Sequence, residues 1–332
     1  MASTEVVVVT GATSGIGRAI ARRFAQDGAS IGLIARGRDG LAGARKDVEE
    51  AGGRALELPC DVSEWDAVNS AARAVEEAFG PIDVWVNNAM TTVFAPFKEI
   101  DPDEFRRATD VTYHGAVWGT KAALDRMLPR DRGSIVLVGS ALAYRGIPLQ
   151  APYCGAKHAE KGFFESLRTE LRHDKSSIHL SMVQLPGLNT PQFVHCRSKM
   201  PMVPQPMPPY YQPEVAADAV HWAAHHRRRE LFVGTPTVKT ILGNKVAPWL
   251  VERVLAKQAY GGQQSDKPAD PDRRDNLMSP PPGDPGAHGP YDQKARSSSV
   301  QTQLAKRRGL VGMVTALVLI LTGVLGTAQR SG

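Results

Sequence analysis

Thr10-Gly11-Ala12-Thr13-Ser14-Gly15-Ile16-Gly17 is the stretch on which the reading of this chain turns. It follows directly on the apolar run Val6-Val7-Val8-Val9. It leads into a segment where Ile16, Ala19, Ile20 and Phe24 recur at helical spacing, while Arg18, Arg22 and Arg23 fall off that face. The pattern is a strand, a glycine-rich turn and an amphipathic helix. Glycines at such a turn let the backbone bend sharply and approach a diphosphate, whose charge rests on the N-terminus of the helix. A glycine cluster alone marks any tight turn; the strand before it and the helix after it supply the context.

Outward from this turn, short β-branched runs alternate with helical patterns as far as about residue 234. Strands are expected at 5–10, 30–35, 54–58, 82–87, 133–139, 178–185 and 230–233. That alternation predicts an α/β fold, a doubly wound parallel sheet with helices on both faces. Residues 238–260 read as an amphipathic helical extension interrupted by Pro248, fit to pack on a lid, a second subunit or a bilayer. Composition then changes. Residues 261–308 are rich in proline and glycine, with the run Ser297-Ser298-Ser299 and a closing basic cluster Lys306-Arg307-Arg308, and are expected to form a disordered linker. Residues 309–328 are uncharged and mostly aliphatic, about 30 Å long if helical, which predicts a single transmembrane helix. The basic cluster before that span, against Arg330 alone after it, places the catalytic domain on the cytoplasmic side.

Composition narrows the function classes. Cys60, Cys154 and Cys196 are an odd set without a CxxC pair, so neither a disulfide framework nor a metal site is expected. Met1 to Thr4 carry no basic leader before the first strand. The formal charge of +6 is spread in short groups such as 225–229, which argues for a membrane surface rather than nucleic acid as partner.

The three residues between Gly11 and Gly15 give the TGxxxGxG spacing, and further motifs follow in order: Asp61-Val62, Asn87-Asn88-Ala89, Ser140, Tyr153-x-x-x-Lys157, and Pro186-Gly187 with Thr190. With them, residues 4–235 resemble the short-chain dehydrogenase/reductase family. The resemblance implies a Rossmann-like catalytic domain, residues 1–260 with the helical extension, that moves hydride between a nicotinamide cofactor and a carbonyl or alcohol. It assigns cofactor contacts to Gly11, Thr13, Ser14, Gly15, Ile16, Gly17, Arg36, Asp61, Val62, Asn88, Ala89, Tyr153, Lys157, Pro186, Gly187 and Thr190. By the same resemblance, Tyr153 exchanges a proton with the substrate oxygen, Ser140 orients that oxygen, and Lys157 lowers the tyrosine pKa and holds the nicotinamide ribose. A homodimer or homotetramer paired through 102–128 and 151–173 is implied as well.

The chemistry of the residues agrees with those roles. Tyr153 and Lys157 are four apart on a helix and share a face, and an ammonium beside a phenol favours the phenolate. Ser140 ends a strand, at the carboxyl edge where open sheets bind ligands. A tethered NADP-binding sensor without turnover would be expected to lack one of these three, and all are present. One residue departs from the family pattern: Thr112 stands where an asparagine commonly holds a water behind the lysine, and Thr112 keeps a hydroxyl but loses reach. At the end of the second strand, Ala35 replaces the acid that NAD-preferring proteins use, and Arg36 and Arg38 follow, which favours the 2′-phosphate of NADP(H). By the resemblance, residues 188–213 correspond to the substrate lid; Phe193, Met200, Met202, Met207, Tyr210 and Tyr211 suit a hydrophobic small molecule such as a steroid-, retinoid- or lipid-like carbonyl, and equally a contact with a second subunit.

Overall fold

The computed structural model describes residues 4–270 and 272–307. The chain begins β1 (Val6–Thr10), α1 (Gly15–Ala25), β2 (Ser30–Ala35), α2 (Arg38–Glu50), β3 (Arg54–Pro59), α3 (Trp65–Phe79) and β4 (Val84–Asn87). It continues through β5 (Val93–Phe94), α4 (Pro102–Thr109), α5 (Gly115–Met127), β6 (Ser134–Ser140), α6 (Ala151–His173) and β7 (His179–Leu185). A region of short pieces follows, α7 (Gln192–His195), β8 (Arg197–Ser198) and β9 (Met202–Pro204). Then come α8 (Pro213–His225), β10 (Glu230–Phe232), α9 (Gly234–Val246), α10 (Pro248–Gly262), β11 (Gln264–Pro268) and α11 (Val300–Lys306).

Seven strands form one parallel sheet in the order β10-β7-β6-β4-β1-β2-β3. Because helices cover both faces, β1 is buried along its whole length, and its alternation splits the core. Val7 and Val9 join Ile20, Phe24 and Val220 under α1 and α8, whereas Val6 and Val8 join Val68, Val75 and Phe164 under α3 and α6. The seven expected strands are the seven sheet strands, with ends shifted by a residue or two.

Three expectations need correction or bounding. Arg18, which periodicity puts off the apolar face of α1, is nevertheless buried, and its guanidinium pairs with Asp47 at 2.7 Å and with Asp284. The stretch expected to be a disordered linker lies, in its described part, against the domain. Leu277 is fully buried with Val93, Ala95 and Ala108; β11 pairs antiparallel with β9; and Thr302 of α11 is buried, its hydroxyl accepting the Gly234 N–H at 3.1 Å. Composition misled here because the segment is held by peptide carbonyls and polar side chains meeting donors on the domain, and apolar periodicity does not register such contacts. The expected span at 309–328 lies outside the described residues; among the described residues no helix is long and apolar enough to cross a membrane. The amphipathic extension forms α9 and α10, broken at Ala247–Pro248. Ile241 and Ala259 face inward, and Leu242, Val246, Trp249, Leu250 and Val254 are exposed.

Candidate active site

The crevice opens at the carboxyl edge of the sheet, where β1 leads outward to β2 and β3 while β4 leads the other way to β6 and β7. Gly11 and Gly15 hold φ of +68° and +53°, which side chains disfavour. Gly17 is a close approach: a Cβ there would lie 2.2 Å from the Gly11 carbonyl oxygen and 2.5 Å from Asn88 Nδ2. From β4, the Asn88 amide donates to the Thr10 and Gly11 carbonyls at 2.9 and 3.3 Å, and the Asn88 and Ala89 N–H groups donate to the Thr10 hydroxyl at 2.9 and 3.0 Å. The turn is thus fixed by its neighbours before any ligand arrives.

A cleft of about 450 Å³ runs along this edge. Gly11, Thr13, Ser14, Gly15, Ile16, Arg36, Asp61, Val62, Asn88, Ala89, Ser140, Tyr153, Lys157, Pro186, Gly187 and Thr190 all line it. Gly17 and Thr112 are not among the lining residues. Gly17 lies beneath the turn, and Thr112 is buried, its hydroxyl donating to the Thr91 carbonyl at 2.9 Å and accepting the Thr91 N–H at 3.1 Å. Thr112 therefore pins the chain after β4 and makes no hydrogen bond with Lys157.

Ser140 is the last residue of β6, and its hydroxyl caps the turn that follows by accepting the Leu142 N–H at 3.1 Å. Tyr153 and Lys157 sit near the start of α6, with the ammonium 5.9 Å from the phenol ring centre. The Lys157 ammonium donates to the Val138 carbonyl at 2.7 Å and to Glu160 Oε2 at 2.6 Å, and both side chains are almost wholly buried. Burial pushes the Tyr153 phenol above its usual range, and the Lys157 charge and the Ser140 hydroxyl offset only part of that rise. Lys157 acts in the expected direction, lowering the phenol; burial, which helical spacing does not register, outweighs it. Glu160 is the residue that reading missed; its spacing from Lys157 looks like any solvated helix pair, and only its burial sets it apart.

At the far end of the cleft, burial works against the Asp61 charge, but Arg107 and Ser63 outweigh it and hold the carboxyl below its ordinary value. Arg36 leaves β2 half-buried, and its guanidinium donates to the carbonyls of Asn276, Leu277 and Met278. The chain from 276 to 289 thus passes across the crevice. Asn276 accepts from Thr91 Oγ1 at 3.1 Å and donates to Gln192 at 3.3 Å, Gly286 accepts the Gly15 N–H at 3.0 Å, and Pro280, Pro281 and Pro285 line the cleft. At the opposite end Phe94, Leu142, Ile147, Phe193, Met207 and Leu255 make an apolar wall beside Ser140 and Tyr153.

A family model described as short chain dehydrogenase matches residues 5–201. The chain belongs to the short-chain dehydrogenase family. Among its relatives, an uncharacterized oxidoreductase, YxnA, of Bacillus subtilis (strain 168) is 31% identical over 309 residues, covering 91% of this chain and 85% of that protein. A 3-dehydrosphinganine reductase of Danio rerio is 32% identical over 59% of this chain and 60% of its own length, so the chain spans well under two thirds of that relative. A metagenomic short-chain oxidoreductase solved in complex with NADP is 29% identical, with a TM-score of 0.59, covering 70% of this chain and 96% of the other. The family model ends at residue 201, short of the segment that crosses the crevice of this dehydrogenase.

Proposed function

We propose that this dehydrogenase uses NADP(H) to interconvert a hydrophobic ketone or aldehyde and the corresponding alcohol. The observation that carries the reading is the convergence of Ser140, Tyr153 and Lys157 at one end of a cleft whose adjoining wall is apolar. The residues fit the cofactor: the glycine turn is a cradle that a Cβ at Gly11 would close, 2.8 Å from Ala89 Cα, and Arg36 supplies a guanidinium for the 2′-phosphate. The NADP-bound structural neighbour supports the same choice. When bound, the cofactor supplies or accepts the hydride.

The chain's own residues handle the oxygen and its proton. Ser140 donates a hydrogen bond to the substrate oxygen, Tyr153 gives that oxygen a proton in reduction and takes it back in oxidation, and Lys157 stabilises the phenolate between those steps. The apolar wall excludes water from the reacting carbon and selects a greasy substrate, as the name of the zebrafish relative also suggests. Residues 309–328 would tether the enzyme to a membrane with the domain on the cytoplasmic side, and α4, α5 and α6 would pair subunits into a dimer or tetramer. Assaying the purified protein with NADPH against a panel of apolar ketones and aldehydes tests the core of the reading. Turnover of at least one supports it, and NADPH binding without turnover of any would make the protein a cofactor-binding sensor instead.

A further inference from the structure

We infer that Glu160 is a positioning residue for the acid/base tyrosine: it keeps Lys157 charged in a place that would otherwise strip its proton. This rests on the roles given above to Tyr153 and Lys157. The Lys157 ammonium has two partners, the Val138 carbonyl at 2.7 Å and Glu160 Oε2 at 2.6 Å, and only the second carries charge. The two side chains are 4% and 1% exposed, so water does not supply the missing solvation. The helix turn holding Thr112 spends its hydroxyl on Thr91, leaving Lys157 to Glu160.

A buried lysine without a counter-charge becomes neutral, and a neutral amine no longer favours the phenolate. Burial pulls the Lys157 ammonium down, while Glu160 and then Tyr153 raise it above its ordinary value. The groups that bear on Tyr153 are Lys157, the Ser140 hydroxyl of β6, Glu160 and Cys154; burial pushes the Glu160 carboxyl above its usual range, and the Lys157 ammonium, in contact at 2.6 Å, is the charge that opposes this. Among the described residues, β5, β6, β7, α4, α5 and the turns 110–114 and 141–143 pack against α6, and none of them, Asp110 and His114 included, puts a further charge on the pair. Glu160 has two opposed effects on the phenol, a direct repulsion of the phenolate and the retention of the ammonium; the ammonium acts on the phenol more strongly than the carboxylate does, so retention wins.

The test is a titration of Tyr153 itself, read as the phenolate absorbance difference between each protein and its Tyr153→Phe counterpart, with no substrate present. In Glu160→Gln and Glu160→Leu the midpoint is expected to rise by at least about one unit, a tenfold loss of phenolate at a given pH. Glu160→Asp, which restores a carboxylate, is expected to return most of the shift. An unchanged or lower midpoint in Glu160→Gln would overturn the inference. The near-isosteric Gln variant decides the matter if the Leu variant does not fold. Because turnover is not measured, failure here is separate from failure of the proposed reaction, which a fully active Tyr153→Phe would show.

A different observation carries a second inference independently: we infer that residues 276–286 act as an internal competitor for the cofactor's phosphates. Arg36 gives its N–H groups to the Asn276, Leu277 and Met278 carbonyls, and the Gly15 N–H, at the start of α1, is taken by the Gly286 carbonyl at 3.0 Å. These are the donors that the glycine turn and the end of β2 would offer to a diphosphate and a 2′-phosphate. Leu277, fully buried, anchors the strap, and Asp284 ties it to Arg18.

Cofactor binding must therefore lift part of the strap. Trypsin cleavage at the exposed Arg274 is expected to quicken at saturating NADP⁺, and Leu277→Ala or Asp284→Ala to tighten NADPH binding several-fold while changing NADH binding less. Slower cleavage with NADP⁺, or weaker NADPH binding in both variants, would show that the strap clamps the cofactor and would overturn the inference. Adding Arg36→Ala separates the premises: if Arg36 does not hold the phosphate, that change leaves NADPH affinity unaltered with the strap intact or loosened.

Discussion

At the scale of single residues, the proposed chemistry separates two functions that lie on one face of α6. Tyr153→Phe keeps the ring and removes the transferable proton, so turnover is expected to fall by about 100-fold or more while NADPH affinity stays within about twofold. Steady-state rates and fluorescence titration check the two halves, and full activity in the variant would sink the acid/base role. Lys157→Met differs because it removes both the charge beside the phenol and the contact expected to hold the ribose; it is expected to lose turnover and weaken NADPH binding together. The pairing of Tyr153 with Lys157 was legible from their spacing alone. The Glu160 partner was not, since an acid three residues after a lysine on a helix looks the same in sequence whether it faces water or the core. Arg18 illustrates the same blindness, its charge being buried between two aspartates that periodicity could not place.

Elements were more legible than residues. The Val6–Val9 run announces a buried parallel strand because a sheet covered on both faces favours apolar side chains on both, whereas the edge strands β3 and β10, with Arg54, Glu57 and Glu230, were visible from the alternation of short runs with helical patterns. The short pieces between β7 and α8 were not, because α7, β8 and β9 owe their shape to partners far away in the chain, such as the pairing of β5 with β8 and of β9 with β11. The tightest joint between elements is where α1 enters under the glycine turn. Gly17→Ala would drive a methyl group into the Gly11 carbonyl and the Asn88 amide, neither of which is free to move, since Asn88 also holds Thr10. Overpacking of this kind costs about 1–3 kcal/mol. Thermal unfolding is expected to show that loss, together with weaker NADPH binding from a displaced turn. An unchanged melting temperature would mean that the turn yields more easily than its hydrogen bonds indicate.

For the whole molecule, the question is where the folded unit ends and the proposed tether begins. Composition puts that boundary near residue 260, where proline and glycine take over, but the contacts put it later. The α11 residue Thr302 accepts the Gly234 N–H at 3.1 Å, the Ala305 carbonyl accepts from Arg228 at 2.9 Å, and Gln301 donates to the Phe232 carbonyl at 3.1 Å, so α11 covers the edge strand β10 and the start of α9. A truncation that removes 309–332 leaves all of these in place. It is expected to yield protein that remains in the soluble fraction, with the melting temperature and NADPH affinity of the full chain, while the full chain sediments with membranes. A truncation from residue 300 onward exposes the β10 edge and leaves the buried Gly234 N–H without its acceptor, a loss of about 1–3 kcal/mol that is expected to lower the melting temperature. Fractionation and thermal unfolding of the two truncations, side by side with the full chain, separate tether from fold. If the full chain is found wholly in the soluble fraction, residues 309–328 are not an anchor; if both truncations melt alike, α11 contributes nothing to the fold and the boundary returns toward residue 260.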